Sequence, residues 1–318
     1  MGDAAGIGPE VTVKAASEKE IYDSSDIVVV GDAGTLQSAA KDRLVVKPIR
    51  SIAGADFSRG MLNVIDLCGI EDGKFKKGKV QAMCGRAAVR YVEHAALMAL
   101  RGEVSGIVTA PWCKAAVHMA GFEYAAHTEF LANLCGARHF AMMIAARNMR
   151  AIPVTRHIAI KDVPRNLTKK KILDAIRTGH SFLKKYGISS PRLAAASLNP
   201  HGGEDGILGK EEKEIIIPAL KKARGEGICV EGPFSPDKVF YDTAGGRFDL
   251  ALAMYHDQAL IPVKLLAFRK SINVTLGLPF IRTSPCHGTA FDIAWEDRAD
   301  PQSMIEAIRF IAESVNKR

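Results

Sequence analysis

Short apolar runs alternate with longer amphipathic segments along almost the whole chain, and this alternation constrains the fold more than any other feature of the sequence. Ile27–Val30, Ile107–Thr109, Phe140–Ile144, Ala151–Thr155, Leu193–Leu198, Leu250–Met254 and Ile261–Val263 read as short buried strands, because each is a compact apolar run. Between them, Gly85–Arg101, Thr168–Tyr186, Glu211–Glu226 and Gln302–Asn316 carry apolar residues at helical spacing, with charges on the opposite face. Such alternation predicts mostly parallel sheets covered by helices, an α/β fold. At 318 residues the chain is long for a single core, so two domains of roughly 100–200 residues each are expected. There is no internal repeat, and the one loosely composed stretch is about Ile70–Gly78 (IEDGKFKKG). The domains should therefore pack closely, with the chain crossing between them more than once.

Composition removes several function classes. No apolar run approaches the roughly 18–20 residues that span a bilayer, and the opening MGDAAGIGPE lacks a basic segment followed by an apolar one. A cytoplasmic protein without membrane partners is expected. The net charge of +8 raises the question of nucleic acid, but Lys169–Lys171 and Lys221–Lys222 fall in helical patterns without interleaved aromatics, and aromatic residues are only 7% of the chain. These runs are read as solvated helix faces, and the basic balance suits an enzyme of anionic metabolites. The six cysteines form no CxxC pair, which argues against a disulfide framework and a structural zinc knot.

The stretch Met254–Asp292 places His256, Asp257, Lys264, Asn273, Arg282, Thr283 and His287 among apolar runs that read as buried strands. Burying charged and imidazole groups is costly unless they are paired, so such a concentration marks a site. His157 in AIPVTRHIAI and His201 in AAASLNPHGGEDG stand in similar settings, each after an apolar run at an expected strand end. Spacing alone does not make the three histidines a metal site, and each could be a satisfied buried imidazole. Asp257 beside His256, with Glu204 and Asp205 near His201, would supply outer-shell partners if they are ligands.

Two further loops carry polar groups suited to a cleft. Gly2–Glu10 sets three glycines before a helix that has Pro9 near its first position, a form that presents backbone N–H groups to anions. It departs from GxGxxG, and a tight turn without ligand reads equally well. Leu278–Ser284 with His287-Gly288-Thr289 joins an arginine to hydroxyls, which suits an arginine–phosphate fork, although an isolated arginine is more often part of a surface ion pair. In Thr109–Lys114 and Ala120–Leu131, Lys114, His127 and Thr128 are the polar groups expected to face a cleft; alternatively Thr128-Glu129 only starts a helix and Lys114 is solvated.

The motifs GDAAGIGPE, TAPWCKAA, HTEFLA, LNPHGGEDGILGKEE, AMYHDQALIPVK and NVTLGLPFIRTSPCHGTAFDIA span nearly the whole chain. Together they make the sequence resemble the 4-hydroxythreonine-4-phosphate dehydrogenase family of vitamin B6 biosynthesis. The resemblance implies two α/β/α domains like those of isocitrate and isopropylmalate dehydrogenases, with the active site in the interdomain cleft at a homodimer interface. It implies one divalent metal (zinc, magnesium or cobalt) on His157, His201 and His256, one of them contributed across the dimer. Substrate contacts fall on His127, Thr128, Lys264, Asn273 and Arg282. Lys264 is the candidate for proton transfer or alkoxide stabilisation, with Asp257 a second catalytic candidate. NAD or NADP would lie outside the usual Rossmann mode, with Gly6, Gly8, His287 and Asp292 as candidate contacts. Domain boundaries are expected at 1–117 plus 289–318 and at 118–288, the second domain carrying most metal and substrate residues.

The implied reaction is oxidation of a secondary alcohol on a 4-phosphorylated hydroxy acid, followed by decarboxylation. Departures from the family pattern bear on the substrate: GDAAG for GDPAG, TAPWCK for TAPINK, YAAHTE for YPGHTE, and Cys286 where the family has Asp. The tail FDIAW, with Trp295, is closer to the paralogous branch that oxidises D-threonate or D-erythronate 4-phosphate. The family also has a short apolar strand before the glycine loop, which this chain enters at its end. A catalytically impaired binding protein of the same fold is the competing reading, and the retained histidines with Lys264 and Arg282 argue against it.

Overall fold

The structure, a computed structural model, describes residues 1–70, 74–124 and 126–316. Residues 71–73 of the loosely composed stretch, and Ala125 of the YAAHTE loop, lie outside the described residues. The chain divides into two compact units, one built from Met1–Ala137 and Leu278–Val315, the other from Arg138–Gly277.

The first unit opens with α1 (Gly8–Ala16), α2 (Lys19–Ser24), β1 (Val28–Gly31), α3 (Ala33–Ala40), β2 (Val45–Ile49), β3 (Met61–Asp66), α4 (Ala82–Leu100), β4 (Gly106–Val108), α5 (Lys114–Met119) and α6 (His127–Leu134). Strands β1 and β2 flank β3, all parallel. Asp32 sets the start of α3 by accepting the Thr35 N–H at 2.8 Å, filling one of the donor positions a helix start leaves open. Buried Val29, Val30, Leu36, Leu62, Val64 and Tyr91 form the core between this sheet and its helices.

The second unit runs β5 (Ala141–Ala146), β6 (Met149–Pro153), α7 (Val163–Asn166), α8 (Lys169–Lys185), β7 (Leu193–Ala196), α9 (Ile217–Gly225), β8 (Val230–Phe234), α10 (Pro236–Ala244), β9 (Leu250–Ala253), α11 (His256–Ala267) and β10 (Ile272–Leu276). Here β6, β9, β7 and β8 are parallel neighbours, while β5 runs antiparallel to both β6 and β10. Strands β7 and β9 are buried along their whole length, which is why they read as continuous apolar runs. Helix α8 keeps Lys169–Lys171 exposed while Ile172, Ile176 and Leu183 are buried, and Lys221 and Lys222 on α9 are also exposed. The chain then returns to the first unit as β11 (Ile281–Pro285), parallel to β4, and α12 (Gln302–Asn316).

Two expectations are corrected. Ile261–Val263 is not a strand but part of α11, around an internal Pro262. The run ALIPVKLLAF is apolar all round, so periodicity could not separate helix from strand, and exposure separates them: Val263 is buried while Ile261 is 59% and Leu265 82% exposed. The chain crossings fall at 137/138 and 277/278 rather than at 117/118 and 288/289. Phe130 and Leu131 of α6 are buried in one cluster with Val89 and Val92 of α4, and the Thr283 hydroxyl donates to the Ala307 carbonyl at 2.8 Å, so both segments belong to the first unit. His127, Thr128 and Arg282 move with them. Among the described residues no helix is long and apolar enough to cross a membrane.

Candidate functional site

In the first unit, Arg282 is the centre of the polar site. It lies in β11 and is only 4% exposed. The pairing of Arg282 with Ile107 and of Thr283 with Val108 fixes its backbone beside the end of β4. Its Nε and Nη2 both donate to the Thr109 hydroxyl, at 3.1 and 2.5 Å. Burial pulls the guanidinium down to about 10, which still leaves it charged at neutral pH. Holding a cation in so dry a place makes it a strong anion anchor.

His127 opens α6 behind Ala126, which supplies no side-chain cap, so Thr128-Glu129 does begin a helix. Its imidazole is stacked on the Trp112 indole, with centroids 3.8 Å apart and planes inclined by 16°. Burial, and then the Arg282 charge, hold His127 well below the usual imidazole value. Its Nε2 is buried and has no hydrogen-bond partner. An orphaned imidazole nitrogen near a buried guanidinium suits an oxygen-bearing anion. The sequence reading missed the roles of Trp112 and Thr109; the departure TAPWCK was the signal available.

In the second unit, His157 and His256 come together, with ring centroids 5.5 Å apart, and both face one pocket with Thr155, Tyr255 and Asp257. The His256 Nδ1 lies 2.6 Å from an Asp257 oxygen, an arrangement that leaves Nε2 as the nitrogen able to ligate. His157 sits at φ +51, a left-handed conformation that is uncommon for a residue with a side chain. These groups are more open than the sequence suggested, since His157 and Asp257 are exposed and His256 is half-buried.

His201 is not brought to the other two. It is exposed on an arch after β7, and among the described residues no group of three His, Cys, Asp or Glu side chains could hold a metal ion. The arch is unusual: His201, Gly202, Gly203, Glu204 and Asp205 all have left-handed backbone. Its anchor is Glu212, 2% exposed, whose Oε1 accepts the Leu198 and Asn199 N–H groups at 2.9 and 2.8 Å and whose Oε2 accepts the Asn199 amide at 2.9 Å. Of the expected partners Glu204 and Asp205, neither is shown bonded to His201. Both are exposed, and Asp205 pairs with Lys213.

Lys264 is half-buried on α11, 5.1 Å above the Phe268 ring, and Asn273 is half-buried in β10. The glycine loop is occupied by the protein itself: a Cβ on Gly6 would lie 2.8 Å from the Thr289 carbonyl oxygen, and one on Gly8 2.5 Å from that of Met1. Their lack of side chains is thus explained by close packing of the chain. His287 keeps a buried Nε2 without a partner, which fits a ligand there, whereas Asp292 is exposed.

Residues 23–311 match the family model described as pyridoxal phosphate biosynthetic protein PdxA. The chain is 43% identical over 313 residues to the D-threonate 4-phosphate dehydrogenase of Salmonella typhimurium, covering 97% of this chain and 95% of that protein. It is 41% identical over 316 residues to the 4-hydroxythreonine-4-phosphate dehydrogenase of Desulforapulum autotrophicum, covering 98% and 93% of the two. The crystal structure of the Klebsiella pneumoniae 4-hydroxythreonine-4-phosphate dehydrogenase superposes with a TM-score of 0.93 at 41% identity, covering 99% of this chain and 96% of that one.

Proposed function

Because the chain belongs to the PdxA family, a family of dehydrogenases, we propose that it oxidises the secondary alcohol of a 4-phosphorylated four-carbon hydroxy acid, with NAD or NADP as hydride acceptor, and that the resulting β-keto acid loses carbon dioxide. The observation that carries the reading to this chain's own chemistry is the buried Arg282 held on Thr109 near the unpartnered Nε2 of His127. Fixed positive charge and a neutral imidazole together suit a phosphate or carboxylate oxygen and have little use for an uncharged ligand. Thr128, also at the start of α6, is assigned to the same end of the substrate.

In the second unit, Lys264 and Asn273 are assigned to the reacting end, Lys264 moving or holding the alcohol proton at its Nζ. His157 and His256 fit a divalent cation by donor chemistry, with Asp257 orienting His256, and His201 is assigned as the third ligand, brought up by a second copy of the chain. When bound, such a cation supplies Lewis-acid polarisation of the substrate oxygen. A homodimer is supported by the apolar face of α11, where Ile261, Leu265 and the following Phe268 are 59%, 82% and 72% exposed. His287, with its unpartnered nitrogen, is assigned to the dinucleotide. Gly6 and Gly8 would shape the loop and Asp292 lie at its rim.

Within the family, D-threonate 4-phosphate is the second substrate reading, supported by the Salmonella relative and the FDIAW tail with Trp295. NAD and NADP reduction measured side by side on 4-hydroxythreonine 4-phosphate, D-threonate 4-phosphate, D-erythronate 4-phosphate and their dephosphorylated forms tests both. The phosphorylated acids should be favoured by on the order of 100-fold in kcat/KM, equivalent to roughly 2.7 kcal/mol. Replacing Arg282 by Lys should remove most of that preference, because one ammonium cannot reproduce the planar fork. Faster turnover of an unphosphorylated alcohol would refute the assignment.

A further inference from the structure

Trp112, in the loop after β4, does more than fill space. The indole is 7% exposed and buried in one cluster with Val89, Val92 and Leu131, while its face lies on His127 at 3.8 Å and 16°. Phe130 braces it edge-on, at 6.0 Å and 65°. A side chain this large, held on both sides, has almost no rotamer freedom, and a stacked pair nearly parallel at this spacing limits the imidazole to rotation within its own plane. His127 has no protein partner at Nε2 to fix the ring by hydrogen bonding. Stacking on Trp112 restrains it instead.

We propose that Trp112 is a positioning residue for the reaction: its indole clamps the His127 ring so that Nε2 stays aimed at the substrate oxygen rather than turning to find a protein partner. This rests on the reading that His127 meets the substrate. The clamp also keeps water off the ring, and the charged or titratable groups acting on His127 are Arg282 from β11 and the Met1 amino group, both cationic when protonated and both opposing a second proton on the imidazole. The imidazole is therefore offered as a neutral group, and fixed charge comes from Arg282.

Two substitutions separate clamping from filling. Trp112→Phe keeps an aromatic face, while Trp112→Met refills part of the volume with a flexible chain. In the Trp112→Met protein, KM for the phosphorylated acid should rise about tenfold with kcat within about threefold, a loss of binding rather than chemistry. His127, followed by NMR, should titrate closer to pH 6.5 than in the unsubstituted protein. Trp112→Phe should restore both to within about threefold and a few tenths of a pH unit of the unsubstituted protein. A shifted His127 titration with unchanged KM would support the clamp and overturn the substrate contact. Unchanged titration in a folded Trp112→Met protein, or equal damage in both variants, would overturn the clamp. Should Trp112→Met fail to fold, the unsubstituted protein still decides: His127 must show a single ring orientation with proton contacts to the Trp112 indole, and their absence refutes the proposal.

Discussion

Asp3 shows how a single buried group sets a pH dependence. It is wholly buried in the glycine loop, one carboxylate oxygen accepting the Ala5 N–H at 2.9 Å and the other without a partner. Burial raises its carboxyl to about 6. A folded-state value above the unfolded one means that Asp3 adds stability below about pH 4 and that this is lost as pH rises through about 6. His127, held low, has the opposite sign: its contribution is present above about pH 6.5 and is lost as pH falls, since only the unfolded chain takes up the proton readily. Replacing Asp3 by Asn should therefore stabilise the protein at pH 7.5, by at most on the order of 3 kcal/mol, with the gain shrinking toward zero near pH 4. Urea unfolding of the two proteins at both pH values measures it. A gain independent of pH would show that the carboxylate charge is not the cause.

At the scale of elements, close approach and a buried anchor decide the local geometry. Gly85 in α4 faces the backbone of α5: a Cβ there would sit 2.1 Å from the Ala116 carbonyl oxygen and 2.5 Å from the Val117 nitrogen. Replacing Gly85 by Ala gains about 1 kcal/mol of helix propensity. It must also push α5 away, so a net loss of roughly 2–3 kcal/mol is expected in denaturant unfolding. In the second unit, replacing Glu212 by Ala removes the acceptor for the Leu198 and Asn199 N–H groups under the left-handed arch. The expected cost is about 3 kcal/mol; if His201 is the proposed third ligand, zinc binding measured by calorimetry should also weaken, because His201 loses its fixed place. Zinc affinity unchanged in a folded Glu212→Ala protein would show that the arch does not carry a ligand.

At the scale of the whole molecule, the proposed chemistry and the proposed assembly fall on one helix, α11. One helix carries His256, Asp257 and Lys264, and it also exposes Ile261 and Leu265, with Phe268 just beyond its end. If the proposed dimer forms through this face, a double replacement, Leu265→Lys with Phe268→Lys, should convert it into monomers in sedimentation, since two charges would have to be buried at the interface. Zinc affinity should fall with it if the third histidine comes from a second copy. A double variant that stays dimeric, or a monomer that binds zinc as tightly, would sink this arrangement.

The α/β class, the four long helices and most of the parallel strands were legible in the sequence, because burial on both faces of a strand and on one face of a helix writes itself into residue spacing. The candidate site residues stood out in the sequence as types out of place: Arg282 and His256 stand among apolar runs. What spacing could not determine was which of them meet. Ile261–Val263 gave no sign of helix because Pro262 and apolar neighbours on every side erase the period. Trp112 and His127 are separated by a helix and a loop, and only the packing of α6 against α4 stacks them. Glu212 could be seen as one acid among several in GKEEK, while Glu204 and Asp205 looked better placed beside His201; burial of Glu212 under five left-handed residues reverses that order. Residue spacing alone carried the α/β class and the long helices, whereas packing decided how deeply His157, Asp257 and Glu212 are buried and which residues they meet, because a contact between residues distant in the chain leaves no period along it.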